Sequence, residues 1–423
     1  MKRASGMNPL TNALESSFQQ LAPELLDIYK DLHSHPELSM LEHRTAAIAS
    51  DYIEKLGYTV TREVGVTGVV GVLRNGEGPT VMLRADMDAL PMAEETGLPY
   101  ASRAVGVDAD GQQVSISHSC GHDFHVTWLL GAARVLAESR NAWHGTAMVV
   151  FQPGEETAQG ASAMIDQWEV TALPRADVVL GQHVMVGPAG TVSCRSGVIL
   201  SAADSLKVKL FGRGSHGSQP QTSIDPVIMA AALTLRLQTI VSREISPLDS
   251  AVLTIGSLQA GTKENIIPDD ATLKLNIRTY DERVREHMLD AVERICRAEC
   301  AASDSPKPPE FTTLSRYPLT DNEQRATERV MAAFKDEFVN DALESKPRAA
   351  SEDFSVFGRA WQVPYVFWFV GGSDPHAYEE ARQRGTLKML PSNHSPRFAP
   401  VLNPTLKAGL QAMLTAASVW LCT

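Results

Sequence analysis

The sequence predicts an α/β protein: a discontinuous domain built on a helix-covered mixed sheet, interrupted by a smaller α+β domain. Three features carry that expectation. Helix-like and apolar strand-like segments alternate from the N-terminus to about Gly197. From there to about residue 310 the strands turn half-exposed, with apolar and polar residues alternating in Leu206-Lys207-Val208-Lys209-Leu210. Beyond that stretch, long helices and apolar strand-like runs return. The expected division is therefore 1–197, an insert at 198–310, and 311–423. A chain of 423 residues is long enough for one large or two ordinary domains with real cores.

Leu21, Leu25, Ile28 and Leu32 recur near helical spacing, which predicts a helix over 18–32. His33-Ser-His-Pro36 ends it, because proline biases the residue before it away from helix. A second helix over 42–56 stops at Gly57, a residue that accepts a left-handed cap. Strands at 67–73 and 80–84 follow, with Asn75-Gly76 as a tight turn between them. A helix at 128–138 and apolar strands at 145–151 and 176–180 continue the alternation. In the insert, strands at 201–212, 251–258 and 271–279 and helices at 226–239 and 281–301 come in the order β-α-β-β-α. That order suits a two-layer domain with an antiparallel sheet. Residues 303–309, rich in Pro, Ser and Lys, read as a linker. A helix at 322–338, an apolar run at 363–370 and a helical tail at 404–421 complete the chain.

Composition narrows the function. No stretch approaches the roughly 20 apolar residues that a bilayer span requires. A formal net charge of −12 argues against a nucleic-acid partner, since phosphate binding relies on clustered Lys and Arg. Met1-Lys-Arg-Ala-Ser-Gly is basic but no apolar core follows it, so no secretory signal is expected. The five cysteines (120, 194, 296, 300, 422) are odd in number and scattered, which fits a reducing cytoplasm. Cys296 and Cys300 share a helix face, but no histidine nearby completes a metal set, and they read as core.

His118-Ser-Cys-Gly-His-Asp-Phe-His125 concentrates a thiol, three imidazoles and a carboxylate just before a helical run. Thiolate and imidazole together suit zinc and its neighbours. On a loop, Cys120 and His122 can converge on one cation. The buried strand 145–151 runs into Gln152-Pro-Gly-Glu155-Glu156. Successive side chains at a strand end point apart, so one glutamate can bind metal while the other acts as a base. The strand 176–180 delivers His183, and Ser392-Asn-His394 lies in a loop before the tail. Each signal is modest alone. Together they supply donors of the right kinds at or beyond strand ends and helix starts, where open α/β sheets place their sites.

Seven segments in chain order carry a more specific likeness: Arg84-Ala-Asp-Met-Asp-Ala-Leu-Pro91, His118-Ser-Cys-Gly-His-Asp123, Phe151-Gln-Pro-Gly-Glu-Glu156, Gly212-Arg-Gly-Ser-His216, Asn265-Ile-Ile-Pro268, Ser351-Glu-Asp-Phe354 and Asn393-His-Ser395. In these the chain resembles the amidohydrolase branch of the aminoacylase and carboxypeptidase metallopeptidases, which includes hippurate hydrolase, N-acyl-amino-acid amidohydrolase and auxin-conjugate amidohydrolase. The resemblance implies a dinuclear metal site in the catalytic domain and a lid domain that usually dimerises. It implies Cys120, His122, Glu156, His183 and His394 as ligands, with Cys120 a candidate bridge. It makes Glu155 the general base, Asp88 the carboxylate that orients a ligand imidazole, and His216 the oxyanion donor. Asn265 and Arg278 resemble positions that meet the polar end of a substrate. Arg84 reads as structural, and Glu352 and Asp353 resemble a motif near the site without an assigned role. Ser119, Phe124 and Gly154 depart from the usual residues, and Phe124 is expected at the pocket floor.

The leading expectation is hydrolysis of N-acyl or N-aroyl amino acids, with a metal-bound water activated by Glu155. The metals would be two divalent ions, manganese or zinc first, with cobalt and nickel as alternatives. The competing readings are deamination of an aryl amine at the same centre and a silent binding protein on the same fold. A cytoplasmic homodimer or higher homo-oligomer, acting on a small molecule, completes the expectation.

Overall fold

The computed structural model describes residues 8–422, which fall into two compact units. The first runs up to Ile199 and resumes over Asp321–Lys346 and from Asp353 onward. Among the described residues it is built on an eight-stranded sheet. The strand order is Thr59–Val64, Gly68–Asn75, Gly145–Gln152, Thr80–Asp86, Val178–Pro188, Tyr365–Ser373, Val192–Cys194, Ala342–Glu344. The four strands from Gly145–Gln152 to Tyr365–Ser373 are mutually parallel. Gly145–Gln152 is buried at every residue, as its unbroken apolar run requires of a strand covered on both faces.

The helices Pro9–Ser34, His122–Glu138 and Leu402–Leu421 pack on one another and on the central strands. They bring Leu10, Leu14, Leu25, Trp128, Leu129, Leu410 and Leu414 into one core. Phe124 joins this core, its ring 4.3 Å from Tyr29, so it does not form the pocket floor that the sequence suggests. Its side chain leaves the helix start on the face that meets Pro9–Ser34.

Asn75-Gly76 does turn the chain, with Gly76 at φ 84°. The strands on either side are nevertheless not neighbours, because Gly145–Gln152 lies between them. A local turn signal carries no information about a strand inserted from 70 residues away in sequence.

The second unit comprises Leu200–Thr320 with Pro347–Glu352. Its four-stranded antiparallel sheet has the order Ala251–Ala260, Asp270–Thr279, Ala202–Phe211, Glu310–Tyr317. The helices Pro226–Thr239 and Glu282–Ala302 cover it. Val208, Leu210, Leu273 and Leu275 face Met229, Leu233, Met288 and Val292 in its core. Cys296 and Cys300 are buried there as well. The sequence ended this region at 310, but the strand Glu310–Tyr317 pairs with Ala202–Phe211 and belongs to the sheet. It is a half-exposed edge with little apolar patterning, which is why the sequence hides it.

Candidate metal centre

The site grows from the carboxyl ends of the parallel strands. Thr80–Asp86 leads to Asp86 and Asp88, Gly145–Gln152 leads to Glu155 and Glu156, and Val178–Pro188 carries His183. Gly121 introduces the helix His122–Glu138 at φ 91°, and a Cβ there would meet Val184 Cγ1 at 2.4 Å. Only glycine fits, and the sharp entry makes His122 the first helical residue.

His122 is fully buried between carboxylates. Its Nδ1 donates to Asp88 Oδ1 at 3.2 Å. Its Nε2 has no hydrogen-bond partner, yet it lies 3.6 Å from Asp86 Oδ2, 3.9 Å from Glu156 Oε1 and 4.0 Å from Glu155 Oε2. Burial opposes charge on this imidazole, but Asp86 and Asp88 outweigh it and hold the group up at about 10. Asp86 is itself fixed from behind. Arg84 Nη1 donates to its Oδ2 at 2.7 Å, and His125 Nδ1 donates to its Oδ1. His125 Nε2 accepts the Val184 N–H at 2.9 Å, so both of its nitrogens are engaged. Burial resists ionisation of Asp86, but the neighbouring His122 and Arg84 pull it well below the usual carboxylate range.

A second group lies alongside. Cys120, Glu156 and His394 bring one ligand atom each to within 4.8 Å of one another, as do His122, Glu155 and Glu156, and also Asp86, His122, His125 and His183. His394 Nε2 is 3.2 Å from Glu156 Oε1, and Cys120 Sγ is 3.4 Å from His183 Nε2. His183 Nδ1 donates to the Val184 carbonyl at 2.7 Å, which leaves Nε2 with its lone pair. Burial, then Glu156 and Glu155, push the Cys120 thiol well above its ordinary range. His394 sits at φ 66°, with its N–H donating to the Ser119 carbonyl at 2.8 Å. Asn393 Nδ2 donates to the carbonyls of Cys120 and Val184, both at 3.0 Å, and so ties the late loop to the early one.

The structure thus gathers Cys120, His122, Glu156, His183, His394, Glu155 and Asp88 in the first unit. Two details of the sequence reasoning change. Cys120 and His122 fall in different three-residue groups, with Glu156 common to both. Glu155 and Glu156 stand in a turn beyond the strand, and both carboxylates approach His122, so strand alternation does not separate them. Gly154, at φ 54°, explains its own departure: a Cβ would meet Met40 Sδ at 2.4 Å. His125 and Asn393 are given no role by the sequence reasoning, while Asp86 stands beside Asp88 in a pair of strand-end acids that could both be ligands. The alternation of acids in Asp86-Met-Asp88 and the third histidine of the cluster were the available signals.

His216, Asn265 and Arg278 belong to the second unit. His216 is exposed, and its Nδ1 accepts the Ser218 N–H at 3.1 Å, which leaves the proton on Nε2. Arg278 donates through Nη1 to Ala349 O at 2.5 Å and to Ser351 Oγ at 3.2 Å, and through Nε to Asn276 Oδ1 at 3.1 Å. It thereby anchors Pro347–Glu352 to the sheet of that unit. Arg84 is structural, as the sequence suggests: it is buried and bonds Asp86, Gln152 and Asp353.

An α/β sheet that presents a largely buried cluster of thiol, imidazoles and paired acids at its carboxyl edge has the donor chemistry of a metal-dependent hydrolase. Residues 82–388 match the model of peptidase family M20/M25/M40, and the chain belongs to that family. The chain is 37% identical over 358 residues to hippurate hydrolase of Campylobacter jejuni, covering 82% of this chain and 90% of that protein. It is 35% identical over 380 residues to N-acetyl-L-cysteine deacetylase of Bacillus subtilis, covering 88% of this chain and 87% of the relative. A crystal structure from methicillin-resistant Staphylococcus aureus superposes with a TM-score of 0.82 at 28% identity, covering 97% and 98% of the two chains. The chain therefore stands among the amidohydrolases of its family and is a hydrolase acting on C–N amide bonds. No described helix is long and apolar enough to cross a membrane.

Proposed function

We propose that the protein hydrolyses the amide bond of N-acyl or N-aroyl amino acids, using two divalent cations held by Cys120, His122, Glu156, His183 and His394. The observation that carries this reading is His122 Nε2, buried without a hydrogen bond and ringed by Asp86, Glu155 and Glu156, so that a cation can replace the proton those carboxylates favour there while Nδ1–H stays on Asp88. A buried ring nitrogen presented in that way beside Glu155 and Glu156 suits a cation. The donor set of sulfur, imidazole and carboxylate fits manganese or zinc, with cobalt and nickel as further candidates. Bound cations would polarise the scissile carbonyl and make a water acidic near neutral pH.

The protein's own groups do the rest. Glu155, almost fully buried, takes the proton of the attacking water and delivers it to the leaving nitrogen, since an amine leaves poorly unprotonated. Asp88 keeps His122 in one tautomer and orientation. The family resemblance gives His216 of the second unit, whose Nε2 carries the proton, the role of donor to the oxygen that becomes negative. Asn265 and Arg278 are assigned to the polar end of the substrate. Hippurate hydrolase among the relatives supports an aroyl-glycine type of substrate.

The test is Glu155→Gln in metal-loaded protein supplied with hippurate. Glycine release should fall about 100-fold or more while bound metal stays at the wild-type level. Loss of metal instead would mean that the two glutamates exchange roles. Ammonia from an aryl amine, with no amide cleaved, would favour the deaminase reading.

A further inference from the structure

The metal-type cluster is held from outside by a stretch of chain that carries none of its candidate ligands. This stretch is the last turn of the helix Pro9–Ser34 together with the connector from it to His43–Lys55, and it precedes the region matched by the family model. Three of its side chains each reach a different segment of the site. His33 Nδ1 donates to Asp123 Oδ2 at 2.7 Å, one residue after His122, while Nε2 donates to Glu94 Oε1 at 3.0 Å. Ser39 Oγ donates to Asp88 Oδ2 at 2.7 Å, the carboxylate whose other oxygen accepts from His122. Glu42 Oε1 accepts the N–H of Gly154 at 2.8 Å, immediately before Glu155 and Glu156, and the N–H of Met40 at 2.8 Å.

The backbone of the same stretch joins in. The Ala89 N–H donates to Glu37 O at 2.8 Å and fixes the segment just past Asp88. The reach extends to the late loop: Glu95, next to Glu94, donates its N–H to Pro396 O at 2.7 Å, two residues beyond His394. His33 and Glu42 are buried, and an acid or imidazole is costly to bury unless it is fully bonded. Core packing alone would be served by apolar side chains at both positions.

We infer that the segment 33–42 is the positioning frame of the metal centre, with His33, Ser39 and Glu42 each setting one segment that carries or orients a ligand. The inference rests on the metal reading proposed above. None of the three touches a candidate ligand atom; they act through Asp123, Asp88 and the Gly154 amide. Partners that orient ligands typically contribute 10–100-fold to metal affinity.

The experiment compares full-length wild type with Ser39→Ala, Glu42→Leu and Glu42→Gln. It measures Zn²⁺ and Mn²⁺ affinity by chelator competition, the unfolding temperature of the metal-free protein, and hippurate turnover. Ser39→Ala should weaken metal binding about 10-fold and leave metal-free unfolding near wild type. Glu42→Leu should weaken it by about 100-fold, and Glu42→Gln should restore most of it, because an amide oxygen still accepts the Gly154 N–H. If Glu42→Leu lowers metal-free unfolding as well, Ser39→Ala decides. Wild-type affinity in both Ser39→Ala and Glu42→Leu overturns the inference alone. A wild-type protein that binds neither metal overturns it together with the metal reading.

Discussion

Cys120 illustrates how one side chain can be legible in type and illegible in state. Its neighbourhood in sequence, two histidines and an aspartate within three residues either side, marks it as a donor. In the fold, burial and two glutamates disfavour its thiolate, so it needs a cation to ionise. Cys120→Ala should therefore lower metal content to below one ion per chain, read by elemental analysis after desalting. A fully loaded, active variant would remove the thiolate from the ligand set. His125 teaches the opposite lesson. It stands in the same cluster as a candidate, but the Val184 N–H and Asp86 occupy both of its nitrogens. It orients Asp86 and the strand beside His183, which no spacing rule could announce.

Helices and strands deliver these side chains only because their packing is close. Gly409, on Leu402–Leu421, lies where a Cβ would meet the Trp128 ring at 2.1 Å. Trp128 belongs to the helix that begins at His122, so this contact sets the depth of the helix bearing a candidate ligand. Gly409→Ala should destabilise the chain by about 1–3 kcal/mol in urea unfolding, since both helices must give way. An unchanged midpoint would show that the two helices are free to separate. Most elements were readable from apolar spacing, including the helix Pro226–Thr239. The edge strand Glu310–Tyr317 and the position of Gly145–Gln152 between earlier strands were not. Half-exposed edges have little pattern, and sheet order is a long-range choice.

For the stability of the entire chain, His33 offers a pH signature. Burial disfavours its charge, yet Asp123 and Glu94 prevail and raise it from 6.5 to about 10. The folded state thus holds a proton that the unfolded chain releases near 6.5, and the stability it confers declines as pH rises from there towards 10. Metal-free wild type should exceed His33→Gln by about 3 kcal/mol near pH 6, and the gap should shrink steadily up to pH 10. A gap that widens with pH would contradict the charged pairing. The division into two units is likewise a property of the whole. The segment Pro347–Glu352 joins the second unit although the chain on either side lies in the first, and Arg278 anchors it there.

By itself the sequence marked the candidate donors and their chemistry: which loops carry sulfur, imidazole and acid, and that strands and helix starts present them. Side-chain type and local periodicity suffice for that. Only the tertiary structure decided how those donors are grouped, that Glu156 belongs with both Cys120 and His122, and that Phe124 faces the core. It also revealed the bonds from His33, Ser39 and Glu42 to the site. Grouping depends on distances between segments far apart in the chain, and such distances are set by packing and buried hydrogen bonds.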